Sequence, residues 1–280
     1  MADETIISWT THSFNPWLGC LRVSDGCTHC YAEEFVTGRM HRDVWGPAAT
    51  HRRERTSTAN WHKPIQWNRR AQKNGMADRV FCASLADVFE DHPDCNAARP
   101  ELWDLIRQTP YLQWQLLTKR PENILGMLPP NWGPLGWPNV WLGTSIEDMR
   151  VAARADRLRE LPAVVRFISY EPALGPLDDL DLTGIDWVIC GGESGRGFRP
   201  MSLDWARAMR AKCAEANIPF FFKQSAARRT ETGTTLDGET IRNYPTPLSV
   251  SWDASELDPR VRAAYLARMG ADTALVGDAF

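Results

Sequence analysis

In Trp187-Val188-Ile189-Cys190-Gly191-Gly192-Glu193-Ser194-Gly195, four apolar residues run straight into glycines, a carboxylate and a hydroxyl. Four residues are too few for a helix, and an apolar run without alternation marks a strand buried on both faces, as in a parallel sheet. The polar tail then falls where the strand ends. Six further short runs share this character, at residues 5–9, 79–83, 114–117, 139–143, 164–168 and 219–222. Helical spacing fills the intervals. Residues 100–108 put Leu102, Leu105 and Ile106 on one face, residues 146–161 are rich in Ala, Arg and Leu, and residues 203–216 align Trp205, Met209 and Cys213. Such alternation predicts an α/β protein with right-handed crossovers. Its six or seven irregularly spaced units fit a partial (β/α)6-7 TIM-like barrel. No Gly-x-Gly-x-x-Gly follows an early strand, which disfavours a dinucleotide-binding sheet.

One barrel domain is expected over residues 1–247, with residues 39–73 as an insertion and residues 248–280 as a C-terminal helical extension. Within the extension, residues 253–269 read as a helix after a turn at Pro259, and residues 228–247, polar and rich in Gly and Thr, as a long loop or hairpin. The 280 residues are 43% hydrophobic and 24% charged, a balance that supports a sizeable core. No stretch approaches the roughly 18 apolar residues of a membrane helix. The start, Met1-Ala2-Asp3-Glu4, lacks a basic and apolar leader, so a cytoplasmic protein with no membrane partner is expected. Seven cysteines, an odd number, argue against a disulfide framework.

Charge is uneven. Residues 39–73 carry seven Arg and two Lys against Asp43 and Glu54, a local +7 within a chain of net charge −3. Trp45, Trp61 and Trp67 and three histidines share the block. Cations beside rings suit a single-stranded or flipped-out nucleic acid, with Arg69 and Arg70 as contacts. The same mix also suits an insertion packed across the barrel with its cations solvated.

Where the runs end, functional groups collect: Ser84 and Asp87, Lys119, Ser145, Glu171, Glu193, and Lys223. In a parallel barrel that is the face on which sites are built. The first run leads to Cys20, Cys27 and Cys30, spaced Cys-x6-Cys-x2-Cys. A structural zinc would complete its set with His29, His12 or His41, though zinc sites usually pair two knuckles and no second Cys-x2-Cys exists. Alternatively, three thiolates hold a [4Fe–4S] cluster and leave one iron open to a small molecule. At a barrel mouth that iron would chelate S-adenosylmethionine, and electron transfer from a reducing donor would release a 5′-deoxyadenosyl radical.

The run Phe14-Asn15-Pro16-Trp17-x-Gly19-Cys20, continuing through Cys27 and Cys30 to Tyr31-Ala32, resembles the signature of a phage-associated three-cysteine family of unknown function regarded as radical SAM-like. Further matching stretches are Ser84-x2-Asp87-x-Phe89, Leu116-Leu117-Thr118-Lys119-Arg120-Pro121, Trp141-Leu142-Gly143-Thr144-Ser145, Ser169-x-Glu171-Pro172 and Gly191-Gly192-Glu193-Ser194-Gly195. Phe221-Phe222-Lys223-Gln224 and Leu236-Asp237-Gly238 extend the likeness to roughly residues 8–245.

The resemblance implies a radical SAM barrel in which Cys20, Cys27 and Cys30 bind the cluster. His29 then stands where such enzymes often keep an aromatic residue near adenine. Ser84 and Asp87 are placed for the methionine amino group, and Ser145 and Glu171 for ribose or methionine. Lys119, Lys223 and Glu193 are candidates for substrate. A phage-encoded protein would work in the host cytoplasm, and the basic block suggests DNA as substrate. The expected enzyme modifies or rearranges a base, for example by isomerising a hypermodified thymine. The alternatives are a radical SAM enzyme for a small molecule or peptide, a repair lyase using Cys82 or Cys190 as hydrogen donor, and a non-catalytic zinc-stabilised nucleic-acid-binding protein.

Overall fold

The computed structural model of the chain describes residues 5–245. Nine strands follow in order: β1 (His12–Ser13), β2 (Trp17–Leu18), β3 (Glu54–Arg55), β4 (Asp78–Cys82), β5 (Leu112–Thr118), β6 (Val140–Ser145), β7 (Val165–Tyr170), β8 (Trp187–Gly191) and β9 (Phe220–Gln224). Seven of them form a parallel sheet ordered β1-β4-β5-β6-β7-β8-β9, while β2 and β3 make a small antiparallel ribbon. The sheet curls but leaves β1 and β9 unpaired with each other, so the expected partial barrel is what forms. Helices α1 (Tyr31–Glu33, running on as a π-helical turn over Glu34–Arg39), α2 (Thr58–Trp61) and α3 (Lys63–Asn74) lie between β1 and β4. Then α4 (Pro93–Arg107), α5 (Pro121–Met127), α6 (Arg154–Arg159) and α7 (Leu203–Glu215) each connect two parallel neighbours.

Both faces of the sheet are dry, which explains the unbroken apolar runs. In β8, Val188 and Cys190 join the core beneath the helices, while Trp187 and Ile189 face the lumen with Phe81, Trp141, Phe167 and Phe221. Cys82 and Cys190 are fully buried on the helix side, away from the lumen. Neither thiol therefore faces the lumen, where the repair-lyase reading would place a hydrogen donor.

Several expectations are corrected. Residues 5–9 form no strand, and the first strand is His12–Ser13. Trp9 instead plugs the lumen, its ring 4.6 Å from Phe81 and 6.2 Å from Trp187. Beside it, Tyr244 donates to the Ser8 carbonyl at 3.1 Å, closing the seam the open sheet leaves. Trp9→Ala is therefore expected to cost about 3–5 kcal/mol, read as a lower urea midpoint. Helix α4 begins at Pro93, not at residue 100, because His92 caps the Asp94 N–H and Pro93 takes the first-turn proline position. Residues 146–161 hold only a short turn (Met149–Val151) and α6, since Ile146 still donates to Ser169 across the sheet. Residues 228–245 form a loop tightened between Leu236 and Glu239. The helix expected at 253–269, and the 248–280 extension with it, lie outside the described residues.

The basic block is packed into the fold rather than left as a groove. Trp61 and Trp67 are buried, Trp67 stacked on His12 at 4.3 Å and Trp61 edge-on to Phe14. Its arginines answer carboxylates from elsewhere in the chain: Arg52 to Asp94, Arg55 to Glu101, and Arg53, fully buried, in a two-pronged bond to Glu90. Arg70 reaches Asp78 and His12, at the start of β4 and so at the end opposite the cysteine loop. Arg69 is exposed on the same part of α3. Arg69 and Arg70, expected to contact substrate, thus stand at the start of β4 and away from the mouth. Among the described residues, no helix is long and apolar enough to cross a membrane.

Candidate metal centre at the barrel mouth

The segment after β1 enters the mouth through Asn15, which donates to the Ser84 hydroxyl at 3.0 Å and accepts from the Leu85 N–H at 2.7 Å. Gly19 follows with φ +104°, and a Cβ there would sit 2.2 Å from the Val44 carbonyl oxygen. Only glycine makes this turn, which delivers Cys20 to the mouth.

The three cysteines are held by different anchors, and none is in a disulfide. Cys20 Sγ lies 3.6 Å from Arg120 Nη1. That guanidinium also bonds Asp87 at 2.7 Å and the Leu21 carbonyl at 2.5 Å. Burial raises the Cys20 thiol well above its ordinary range, Asp87 adds to the rise, and Arg120 opposes it. Cys27 is buried in a turn where Ser24 donates to Glu147 at 2.9 Å. Gly26 passes so close that a Cβ would lie 2.3 Å from Glu147 Oε1. Cys30 caps the N-terminus of α1. Burial raises its thiol too, and the backbone N–H groups of Glu33 and Ala32, with Lys119, pull it back. Among the described residues, no three His, Cys, Asp or Glu side chains converge on one point as ligands of a single ion.

Around the thiols the strand ends supply paired charges. Glu147, buried just beyond β6, bonds Lys119 at 3.0 Å and Arg154 at 2.9 Å. Burial alone would raise its carboxyl, but the two cations hold it below the usual range. Glu171 pairs with Lys223 at 2.8 Å, with Ser169 also reaching it at 3.3 Å. A Cβ on Gly191 would fall 2.7 Å from Glu171 Oε1, so the glycine is what gives this pair its room. Ser145 is aligned with Ser169 in the sheet register, and both are buried. His29 Nδ1 lies 3.0 Å from Glu193, which Arg199 also grips through its backbone N–H at 2.8 Å and its Nε at 3.0 Å.

The sequence-derived set thus divides. Cys20, Cys27, Cys30, His29, Lys119, Glu193, Ser145, Glu171 and Lys223 come together at the mouth. Ser84 and Asp87 are there as well, but committed: the Ser84 hydroxyl is held by Asn15, and its carbonyl accepts from Tyr31 at 2.8 Å. Asp87 takes Thr118 and Arg120 as well as the Phe89 N–H, so it orients Arg120 under Cys20 rather than offering a free carboxylate to an amino group. Sequence reading placed Arg120 in a polar strand end but gave it no role, and it missed Glu147 and Arg199. Their signal was faint: Arg120 and Glu147 each stand two residues past a strand end.

The family described as a protein of unknown function, DUF5131, matches residues 4–245. The chain belongs to that family. No curated protein matches this DUF5131 chain. Among solved structures, a spore photoproduct lyase variant with bound AdoMet and a dinucleoside spore photoproduct is similar, with 10% identity and a TM-score of 0.44. The likeness covers 72% of this chain and 61% of that one.

The Glu193 carboxyl carries a pH prediction. Burial would raise it, but the bonds from Arg199 and His29 hold it below its ordinary value. A carboxylate depressed by folding adds stability above the ordinary carboxylate range and loses it as pH falls through the lowered value. Glu193→Gln should therefore melt well below wild type at neutral pH, and the gap should close in acid.

Proposed function

We propose that this DUF5131 protein is a radical SAM enzyme in which Cys20, Cys27 and Cys30 hold a [4Fe–4S] cluster at the barrel mouth. The observation that carries the reading is three thiols on one loop at the C-terminal end of a parallel barrel, with cations turned toward them. Arg120 beside Cys20 and Lys119 near Cys30 offset the negative charge that three thiolates and a cluster bring together. A four-iron cube takes its thiolates at separate corners and does not ask three donors to share one centre, as a single zinc does. When bound, the cluster supplies the electron that cleaves S-adenosylmethionine and so starts hydrogen abstraction from the substrate.

The chain's own part is to bind, orient and exclude water. Glu171 and Lys223 stand side by side in the mouth as an acceptor for an ammonium and a donor for a carboxylate, the two ends of an amino acid. Ser145 lies on the neighbouring strand end for a hydroxyl contact. Below them Trp9, Phe81, Trp141, Phe167, Trp187 and Phe221 seal the lumen, so water cannot reach the mouth from beneath. The substrate enters from above. A nucleic acid base is the reading we favour, its modification or isomerisation the reaction class, and an external reductant the electron source.

The test is metal and sulfide content of protein purified without oxygen. About four iron and four sulfide per chain, with 5′-deoxyadenosine formed on adding a reductant and S-adenosylmethionine, is the expected result. One zinc and no sulfide would overturn the proposal and leave a zinc-stabilised binding protein.

A further inference from the structure

The aromatic side chains of the described residues are nearly all in the core, and the exceptions are grouped. Tyr31, Phe35 and Phe198 are 46%, 40% and 38% exposed, and all lie beside the cysteine segment. Phe198 precedes Arg199, which donates to the Asp25 carbonyl at 3.0 Å, so the loop after β8 rests on the cysteine turn. That loop is zipped to the one after β9: Ser194 bridges Ala227, and Ala227 donates to the Glu193 carbonyl at 3.1 Å. Next to this seam stand Arg196, Arg228 and Arg229, all exposed. Unlike the arginines at 52, 53 and 55, these three form no ion pair among the described residues. The Glu34 carboxylate approaches the seam, with an oxygen 3.5 Å from a Cβ placed on Gly195, which sets Phe35 beside it. Arg39 lies 6.0 Å from the Phe35 ring centre.

We propose that this rim, Arg196, Arg228 and Arg229 beside Tyr31, Phe35 and Phe198, binds single-stranded or locally unpaired nucleic acid at the mouth. It rests on the nucleic-acid reading proposed above, and it places the interface at the mouth, at the end of the barrel opposite Arg69 and Arg70 on α3. Arginines without carboxylate partners are the ones able to neutralise phosphates. Exposed rings offer faces to bases that have left a stack, which a paired duplex withholds. The strand would then pass over the thiol loop, where a base turned inward meets Glu171 and Lys223.

The test is fluorescence anisotropy of full-length protein with a labelled oligodeoxythymidylate over a range of salt. Arg196→Ser, Arg228→Ser and Arg229→Ser combined should weaken binding at least tenfold and flatten the plot of log K against log salt by about 2, since each single-strand phosphate contact contributes about 0.7. Phe35→Ala should weaken binding about tenfold with the salt slope unchanged. Arg69→Ser with Lys73→Ser, on the far end of α3, should bind as wild type. Wild-type affinity and slope in the triple variant would overturn the rim and leave the cluster reading intact. Binding lost only with the α3 pair would return the interface to the block. If wild type binds no oligonucleotide, single- or double-stranded, the nucleic-acid reading falls too, whatever 5′-deoxyadenosine is formed. Should the triple variant bind oligonucleotide normally but accept electrons poorly from an acidic electron-transfer protein, the rim belongs to that protein and the proposal fails.

Discussion

Cys30→Ala is expected to lower iron and sulfide from about four each to near zero, and with them the release of 5′-deoxyadenosine. Two thiols cannot replace three. Cys20→Ala and Cys27→Ala should do the same, because the three come from separately anchored parts of one loop, while Cys82, Cys95, Cys190 and Cys213 are fully buried in the core. Cys213→Ala is the control. Its thiol, pushed up to about 12 by burial, belongs to α7 and faces the helix-side core, so the change should leave iron content unchanged. The chain itself should stay folded without the cluster, since its core is built from the sheet and helices and not from the loop. Full iron in Cys30→Ala would remove Cys30 from the ligand set, and loss of iron in Cys213→Ala would mean that iron content merely follows folding.

Glu147→Ala is expected to be the most damaging change at the mouth that touches no cysteine. One buried carboxylate holds Lys119, Arg154 and Ser24, and fills the space against Gly26. Removing it leaves two cations at the mouth without their shared partner, at a cost of about 3 kcal/mol. In a chain of this size that lowers the melting temperature by about 10 °C. The turn carrying Cys27 loses its anchor as well, so iron content should fall below that of wild type. Glu147→Gln separates the two effects. It keeps the bulk against Gly26 and an acceptor for Ser24, so it should recover more of the iron than of the stability. Wild-type melting in Glu147→Ala would show that the pair is solvated and the turn held by something else.

Much of this architecture is legible in the chain. The strands at 79–83, 114–117, 139–143, 164–168, 187–190 and 219–222 are found within a residue or two, because a strand buried on both faces has to be apolar throughout. Their polar ends mark the mouth for the same reason: side chains past the last buried position are released from packing. The run at 5–9 has the same composition and is not a strand. Trp9, which fills the lumen, obeys the same apolar rule as a strand that lines it, while Ile6 of the same run is exposed, and composition cannot separate the two cases.

Charge is harder to read. The +7 block and the arginines at 196, 228 and 229 are all cations in the sequence. Whether each is spent on a carboxylate depends on residues tens of positions away, such as Glu90 for Arg53, Asp94 for Arg52 and Glu101 for Arg55. Local patterns set the elements of this protein, since period and apolarity are properties of neighbours along the chain. Which thiols, cations and rings share the mouth was decided only by tertiary structure, because ion pairs and close approaches join segments whose order in the chain says nothing of their distance.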